Sequence, residues 1–256
     1  MLKLSSDRKV SPQSKFTSGT WKPEIPNSFG LPAHVSCPGA TSVCESICYA
    51  FRLERAYTNV AKLLKNNWDE LQACGQSSKK MIALLDDLIS RYEAEHERVQ
   101  NLRDEVYPKV FRIHWDGDFY SKAYARAWRE VVLRHPNIQF WAYTRSFTPK
   151  MDVVPILSDL PNLSLYLSVD KVNAKWAEKV VDSNPGVRIA ALGDNFDSDD
   201  QSAMEISLRI AKRKAPKCPE QTGRYPLVLE NGNGACVECM LCVNGTNNVL
   251  FSISKK

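Results

Sequence analysis

Cysteine is the residue type that most clearly predicts chemistry in this 256-residue chain. Three of its eight cysteines are separated by two residues each near the C-terminus, with a Cys-Pro pair upstream. These four candidate ligands are Cys218, Cys236, Cys239 and Cys242. A C-x2-C-x2-C run with a distant Cys-Pro is typical of [4Fe–4S] ligation, whereas structural zinc favours two separated C-x2-C pairs. The spacing therefore predicts an iron–sulfur site, with zinc as the alternative.

A second group of cysteines, Cys37, Cys44 and Cys48, lies near the N-terminus. Three thiolates can hold a [4Fe–4S] cluster with one iron open, or a zinc ion completed by His34. The apportionment of ligands stays open, because Cys218 could serve this group and all seven cysteines could form one site. The eighth, Cys74, stands alone and is expected to be a small, partly buried residue.

Composition places the chain among ordinary globular proteins. It has 43% hydrophobic and 25% charged residues and a net charge of +5, which permits contact with nucleic acid without demonstrating it. It contains no apolar run of about 18 residues and no apolar N-terminal signal core, so we expect no membrane partner and a cytoplasmic location. A reducing compartment favours metal or redox chemistry over disulfides.

The elements that must position these thiols alternate between strand and helix after residue 110. Strands are predicted at residues 110–115, 138–144, 163–169 and 187–192, and helices at 121–134, 151–160 and 174–182. This alternation implies βαβ crossovers and a parallel sheet. A last helix is predicted at 202–214, after a loop at 195–201, and a strand at 248–253.

Two long helices are predicted ahead of the sheet: the first starts with the turns that carry Cys44 and Cys48 and continues through residues 51–73, and the second spans residues 79–102. Because Cys44 and Cys48 are four residues apart, we expect them to face one way on the first turns of a helix. The predicted fold class is α/β: a partial TIM-like barrel or open parallel sheet with an N-terminal helical hairpin and a cysteine-rich C-terminal metal lobe. Residues 1–214 would form the α/β domain, with a helical insertion at 51–103, and residues 215–256 the cluster-binding lobe packed on it.

Polar residues follow each predicted strand, where ligands bind in parallel α/β folds. They are His114, Asp116 and Asp118; Thr144, Arg145 and Ser146; Ser168, Asp170 and Lys171; and Asp194 and Asn195. If the first strand stays extended, His114, Asp116 and Asp118 share one side. Two acids beside an imidazole suit proton transfer, and an arginine suits phosphate or carboxylate. We therefore predict His114, Asp116, Asp118 and Arg145 as catalytic, with turn chemistry around Asp-Gly as the alternative.

The order of the motifs resembles a known family. Cys-Pro-x5-Cys-x3-Cys-Tyr-Ala from Cys37 is followed by Phe111-Arg112-Ile113-His114-x-x-Gly117-Asp118-Phe119, by residues 140–146 and by the terminal C-x2-C-x2-C. Together these motifs, over residues 30–253, resemble the phage "gene product 88" family. That resemblance implies a phage or prophage origin, and so the cytoplasm of the host cell, more than a reaction.

The cysteine layout and βα core are also distantly similar to radical S-adenosylmethionine enzymes. Those enzymes carry a C-x3-C-x2-C loop at the first strand end of a partial TIM barrel, whereas the gaps here are six and three. The similarity implies one or two [4Fe–4S] clusters, with S-adenosylmethionine as a candidate cofactor. Cys37, Cys44 and Cys48 would hold the reactive cluster and the C-terminal four an auxiliary or structural one.

Three functions follow as hypotheses. The leading one is a phage-type iron–sulfur enzyme, radical-SAM-like, acting on a nucleotide, nucleic acid or related polar substrate. The second is a non-catalytic iron–sulfur or zinc protein that binds nucleic acid or a host protein. The third is a zinc-dependent base-modifying enzyme that uses Asp116 or Asp118 with Asp194. The oligomeric state is not indicated.

Overall fold

The computed structural model describes residues 1–15, 19–104, 106–193 and 215–252. The predicted loop at 195–201, the predicted helix at 202–214 and the strand-end residues Asp194 and Asn195 lie outside the described residues. Within these ranges no helix is both long enough and apolar enough to pass through a membrane.

A five-stranded, wholly parallel sheet, curled into a half-barrel, forms the centre of the molecule. Its strands, in spatial order, are β3 (Val110–Ile113), β4 (Gln139–Thr144), β7 (Leu163–Val169), β8 (Arg188–Gly193) and β9 (Val249–Ser252). The four strands predicted from alternation and the fifth near residue 250 are all confirmed. The α/β class with a parallel sheet is thereby confirmed as well.

Helices cover one face of this sheet and form the main core. They are α3 (Thr58–Gln72), α4 (Ser78–Gln100), α5 (Lys122–Arg134), α6 (Val154–Leu157) and α7 (Ala174–Ser183). On α4, buried residues recur at helical spacing from Met81 to Val99, and on α5 the buried Trp128 ring lies against Phe111 of β3. Period-3.6 burial on the helices and period-2 burial on the strands thus meet in one apolar layer.

Two predicted helices differ from the structure. The helix expected at 51–73 is divided into α2 (Tyr49–Ala56) and α3, because Tyr57 adopts an extended conformation with φ −128° and ψ 100°. The helix expected at 151–160 begins instead as a short antiparallel pair, β5 (Phe147–Thr148) with β6 (Met151–Asp152), before α6. Pro155 stands in the first turn of α6, where its missing N–H costs no helical hydrogen bond.

The opposite face of the sheet carries polar side chains, and the C-terminal segment lies against it. We call this the polar face; it comprises Arg112, Gln139, Tyr143, Ser164, Tyr166 and Arg188. Ser164 Oγ donates to the Val243 carbonyl at 2.8 Å, and Tyr166 Oη donates to the Asn247 carbonyl at 2.8 Å. Since the same segment contains α8 (Ala235–Cys239) and supplies β9, it is tied into the sheet rather than only resting on it.

The N-terminal residues form the remaining edge. A hairpin of β1 (Gln13–Lys15) and β2 (Trp21–Pro23) precedes a segment that runs beside β3, where Ser28 makes a parallel bridge to Arg112. The amide of Cys236 donates to the carbonyl of Lys9 at 2.8 Å. The segment around Cys236 therefore contacts the N-terminal residues, although β9 lies at the opposite edge of the sheet from β3.

Candidate functional site

The N-terminal cysteine segment lies over the carboxyl ends of β4 and β7. Thr41 Oγ1 donates to Asp170 Oδ2 at 2.6 Å, just beyond the end of β7. Gly39 packs so closely on the turn after β4 that a Cβ there would lie 2.0 Å from the carbonyl oxygen of Arg145. These two contacts bring Cys37 and Cys44 to the sheet edge at which parallel α/β proteins bind ligands.

Cys44 and Cys48 do not share one helix. Cys44 lies in α1 (Ser42–Ile47), whose N-cap is Thr41, and Cys48 caps the separate helix α2. The expectation that both face one way on a single helix is therefore wrong, because Cys48 leaves helical geometry with ψ 106°. At the cap, Cys48 Sγ accepts a hydrogen bond from the amide of Phe51 at 3.4 Å, which favours the thiolate.

Asp118 joins the loops that follow β3 and β4. Its carboxylate accepts hydrogen bonds from Thr144 Oγ1 and from the amides of Arg145 and Phe119, each at 2.7 Å. Burial raises the pKa of this carboxyl to about 6, although the three donors act against the shift. With its oxygens already engaged, Asp118 holds the shape of the sheet edge.

Arg145 pairs with Asp170 beside the thiols. The two side chains approach at 2.5 Å between Arg145 Nη1 and Asp170 Oδ2. Although burial opposes it, the hydrogen bond from Thr41 and the charge of Arg145 hold the pKa of Asp170 below its usual value. Burial raises the pKa of Cys44, and the charge of Arg145 lowers it, so the guanidinium lies close enough to favour a thiolate there.

His114 is enclosed in an aromatic cluster. The strand β3 ends at Ile113, and His114 has φ 62°, so His114, Asp116 and Asp118 do not lie along an extended strand. Its ring packs against Phe119 at 4.6 Å between centroids, and its Nε2 lies 2.9 Å from Tyr124 Oη. Burial, and then the charge of Arg112, lower the pKa of His114 to about 3, which keeps the imidazole neutral at physiological pH.

Asp116 is the least satisfied polar group at this edge. It is 3% exposed, and neither carboxylate oxygen has a hydrogen-bond partner. Burial, and then the nearby Glu54 carboxyl, raise its pKa to about 8. Burial also raises the pKa of Cys37 and of Cys48; the charge of Asp118 and then that of Asp116 add to the shift of Cys37, and the charge of Asp116 adds to that of Cys48. Asp116 therefore lies among two thiols and a second acid.

Among the described residues, the cysteine side chains do not stand in a metal-binding arrangement. All eight cysteines are free and partly buried. Across residues 1–15, 19–104, 106–193 and 215–252, no three His, Cys, Asp or Glu side chains already stand in a geometry that could hold a metal ion. Ligation of one ion by Cys37, Cys44 and Cys48 would therefore require a rearrangement of this segment.

The C-terminal cysteines form a second group against the polar face. Burial raises the pKa of Cys242 to about 12, and the charges of Cys218 and Cys239 add to it. Cys236 is also close enough for its charge and that of Cys242 to interact. Cys242 thus lies within electrostatic range of the other three thiols, and Tyr143 of the polar face donates a hydrogen bond to it.

Arg112 connects the two cysteine groups. Its Nη1 pairs with Asp7 at 2.6 Å, and its guanidinium lies 5.7 Å from the centre of the Tyr143 ring. Its Nη2 lies 3.4 Å from the hydroxyl of Tyr49, the residue after Cys48. Burial raises the pKa of both Asp116 and Cys242, and the charge of Arg112 lowers both by a smaller amount. The partly buried charge of Arg112 therefore acts on Asp116 and on the C-terminal cysteines Cys236 and Cys242.

Sequence reasoning missed Thr41, Glu54 and Arg112. Thr41 could have been identified from the sequence, because threonine is a preferred N-cap residue and Thr41 directly precedes α1. Arg112 stands on a strand facing the polar side, which alternation could have identified. Glu54 carries none, because its approach to Asp116 depends on the break between α1 and α2.

The comparisons with known proteins support the family resemblance that the order of the motifs indicates. The family model described as "Gene product 88" matches residues 2–245. The "Gene 88 protein" of Mycobacterium phage L5 is 37% identical over 263 residues, covering 100% of this chain and 99% of the relative. That of Mycobacterium phage D29 is 36% identical over 259 residues with the same coverage. No solved structure matches. From the family match and these full-length relatives, the chain belongs to the gene product 88 family.

Proposed function

We propose that the chain is an iron–sulfur enzyme of phage type whose reactive [4Fe–4S] site is formed by Cys37, Cys44 and Cys48. The observation that carries this proposal is the packing of the cysteine segment over the carboxyl ends of β4 and β7, through Thr41 and Gly39. Substrates of parallel α/β proteins bind at the carboxyl ends of the strands, so a catalytic metal site is expected at this edge of the sheet. A purely structural metal site could lie anywhere in the fold.

The side chains of the N-terminal cysteine segment are suitable ligands for an iron–sulfur cluster. Three thiols within 12 residues, none in a disulfide, adjoin a carboxyl that has no hydrogen-bond partner. Their pKa values are raised chiefly because they are buried. A bound cation reverses that effect, since thiolates are then stabilised by direct coordination.

The cluster would supply the electron for reductive cleavage of S-adenosylmethionine, in a radical-SAM-like reaction. The chain's own residues would position the substrate. Arg145, held by Asp170, presents a guanidinium beside Cys44 that suits a phosphate or carboxylate group of a nucleotide or nucleic acid. Asp118 would keep the Arg145 backbone in place through its 2.7 Å hydrogen bond.

The C-terminal thiols would hold a second, structural or auxiliary cluster in the predicted metal lobe. Cys242 lies within electrostatic range of Cys218, Cys236 and Cys239, and Lys9 and Arg112 bring positive charge to Cys236. The host cytoplasm, which keeps thiols reduced, is the location that suits both sites.

Anaerobic purification followed by iron, sulfide and zinc analysis tests this function. We expect a brown protein with about four iron and four sulfide ions per cluster. Cys37→Ser should remove one cluster and leave the absorption of the other, and Cys236→Ser should do the converse. Cys74→Ser is the matched control, because Cys74 belongs to neither group, and it should retain all iron.

Two results would contradict the proposal in different ways. A colourless protein that contains only zinc would favour the non-catalytic zinc alternative. An iron–sulfur protein that loses all its iron in Cys236→Ser and none in Cys37→Ser would confine the cluster to the C-terminal group. Turnover is measured separately, by formation of 5′-deoxyadenosine from S-adenosylmethionine after reduction.

A further inference from the structure

We propose that the exposed face of α2 binds single-stranded nucleic acid, with aromatic rings that stack on bases and arginines that contact phosphates. We call this the α2 face; it comprises Tyr49, Phe51, Arg52 and Arg55. The inference rests on the proposed function, because it names the substrate class that the site beside α2 would take. Basic groups interleaved with aromatic rings are the features by which proteins bind single strands.

The four side chains of the α2 face lie side by side because of their spacing. Tyr49, Arg52 and Arg55 follow one another at intervals of three residues, and Phe51 stands four residues before Arg55. Residues three and four apart are neighbours on the surface of a helix. All four are exposed, whereas Ala50 is buried. The helix therefore turns one side toward the protein and this aromatic and basic side toward solvent.

The positive charge of the α2 face is not neutralised by its own helix. Glu54, the acidic residue of α2, is partly buried, and its Oε1 accepts a hydrogen bond from the amide of Ala33 at 2.7 Å. Within the described part of the chain, neither Arg52 nor Arg55 forms an ion pair with an acidic side chain. Two such guanidiniums on one short helix complement the phosphates of a nucleic acid backbone.

Both aromatic rings are held in place while a large part of each stays exposed. Tyr49 is 42% exposed, and its hydroxyl donates to the Trp115 carbonyl at 2.7 Å, just beyond β3. Phe51 is 39% exposed, and its ring packs against His34 at 4.4 Å between centroids. A side chain that is already fixed loses little conformational entropy when a base stacks on it. These rings are therefore suited to stacking.

The α2 face adjoins the proposed reactive site. The helix starts directly after Cys48, and the hydroxyl of Tyr49 contacts the loop beyond β3. A nucleic acid strand bound along α2 would thus lie beside the cysteine segment at the carboxyl edge of the sheet. Duplexes conceal the base faces on which the rings would stack, so the arrangement favours unpaired bases.

Fluorescence anisotropy with labelled oligonucleotides tests the inference on the full chain, purified anaerobically. The probes are oligodeoxythymidylate and oligouridylate of about 12 nucleotides, a length within the range of single-strand sites, and a DNA duplex of the same length. We expect at least one of the single strands to bind more tightly than the duplex. The comparison of the deoxyribose and ribose probes identifies the preferred sugar.

The double variant Arg52→Gln/Arg55→Gln should weaken binding and reduce its salt dependence. Each phosphate contact on a single strand contributes about 0.7 to the slope of log affinity against log salt concentration, so the slope should become shallower by about 1.4. Lys122→Gln/Arg126→Gln is the matched control, since both residues are exposed on α5 and their loss changes the net charge equally. The control should keep the slope of the parent.

Phe51→Ala should weaken binding by about tenfold, the size expected for loss of one stacked base. Phe51→Trp retains an aromatic ring and should bind at least as tightly as the parent. Leu133→Ala, which shortens an exposed apolar side chain of α5, is the control and should leave the affinity unchanged. Circular dichroism of each variant checks that the fold is retained. Equal affinities of Phe51→Ala and the parent would contradict the stacking contact.

The results distinguish this inference from the proposed function. If no single strand binds, if the duplex binds as tightly, or if the α5 control loses as much affinity as the α2 variant, the inference is wrong even where the chain holds iron at Cys37. If polyglutamate displaces the probe as well as an unlabelled single strand does, the partner is an acidic protein and the inference is likewise wrong. Binding that depends on the α2 face, in a chain that holds no iron, would support the surface while the proposed function fails.

Discussion

His114 shows at the scale of one residue how burial decides chemistry. Its pKa of about 3 in the folded protein lies below the ordinary value of 6.5, because burial and Arg112 disfavour the imidazolium. The unfolded chain therefore binds a proton at a higher pH than the folded chain does. Above pH 6.5 the buried, neutral histidine costs no stability. As the pH falls from 6.5 toward 3, the folded state loses stability relative to the unfolded chain, which takes up the proton.

We expect His114→Gln to flatten the acid limb of the stability profile. The wild type should lose about 4 kcal/mol more than the variant between pH 6.5 and pH 3, with the variant less stable at neutral pH because the contact with Tyr124 is altered. Urea unfolding at several pH values measures the difference. Parallel profiles for the two proteins would show that His114 titrates normally in the folded state.

Asp116 and Asp118 mark the limit of sequence reasoning at this scale. Both belong to one Asp-Gly-Asp motif, and both were predicted as polar residues beyond a strand end. One is satisfied by Thr144 and Arg145 from the neighbouring strand, and the other has no partner. Nothing local in the sequence distinguishes them, because the donors that do so are about 26 residues away in the chain.

At the scale of elements, the strands and the spacing of thiols could be predicted, and the breaks between helices could not. Short apolar stretches that alternate with helices predict β3, β4, β7 and β8 to within two residues at each end. The division of the helical stretch at Cys48 and Tyr57 has no glycine or proline to signal it, and both residues are compatible with a helix. These breaks turn α1 and α2, and so the thiols, toward the sheet edge.

The hydroxyl of Thr41 attaches α1 to the end of β7, because it both accepts and donates a hydrogen bond. It accepts a hydrogen bond from the amide of Cys44 at 3.1 Å and donates one to Asp170. Thr41→Val should therefore lower the free energy of unfolding by about 1–2 kcal/mol, measured in urea. Thr41→Ser keeps the hydroxyl and is expected to match the wild type; equal loss in both variants would assign the effect to packing.

Gly39 supports the same attachment by its lack of a side chain. Gly39→Ala should push the cysteine segment off the turn after β4 and make Cys37 and Cys44 react faster with a thiol reagent. Gly75→Ala, in open space between α3 and α4, provides the control, since it introduces only the strain of φ 57°. Unchanged thiol reactivity in Gly39→Ala would mean that the segment is held by other contacts.

At the scale of the whole molecule, the polar face binds the C-terminal segment through the backbone of that segment. Tyr166 is one of these contacts, and its hydroxyl lies 2.8 Å from the Asn247 carbonyl and 3.3 Å from that of Leu241. The acceptors are main-chain atoms, so their side chains give no pattern from which sequence analysis could have predicted the contact. The segment's place in the sheet follows instead from β9.

Tyr166→Phe should accelerate amide hydrogen exchange in residues 239–247 and leave exchange in α4 and α5 unchanged. The loss of one buried donor is expected to cost about 1–3 kcal/mol. Tyr120→Phe is the matched control, because the Tyr120 hydroxyl is buried without a hydrogen-bond partner in the described structure. Equal acceleration in both variants would show that the segment is not held by this hydroxyl.

The position of β9 has a consequence for synthesis of the protein. β9 (Val249–Ser252) pairs with β8 (Arg188–Gly193), but a long stretch of chain separates the two strands. During translation β8 is therefore made well before its partner, and it stays an open edge, able to pair with another chain, until β9 has been made. A nascent chain stalled before residue 249 should accordingly depend on chaperones to stay free of aggregation.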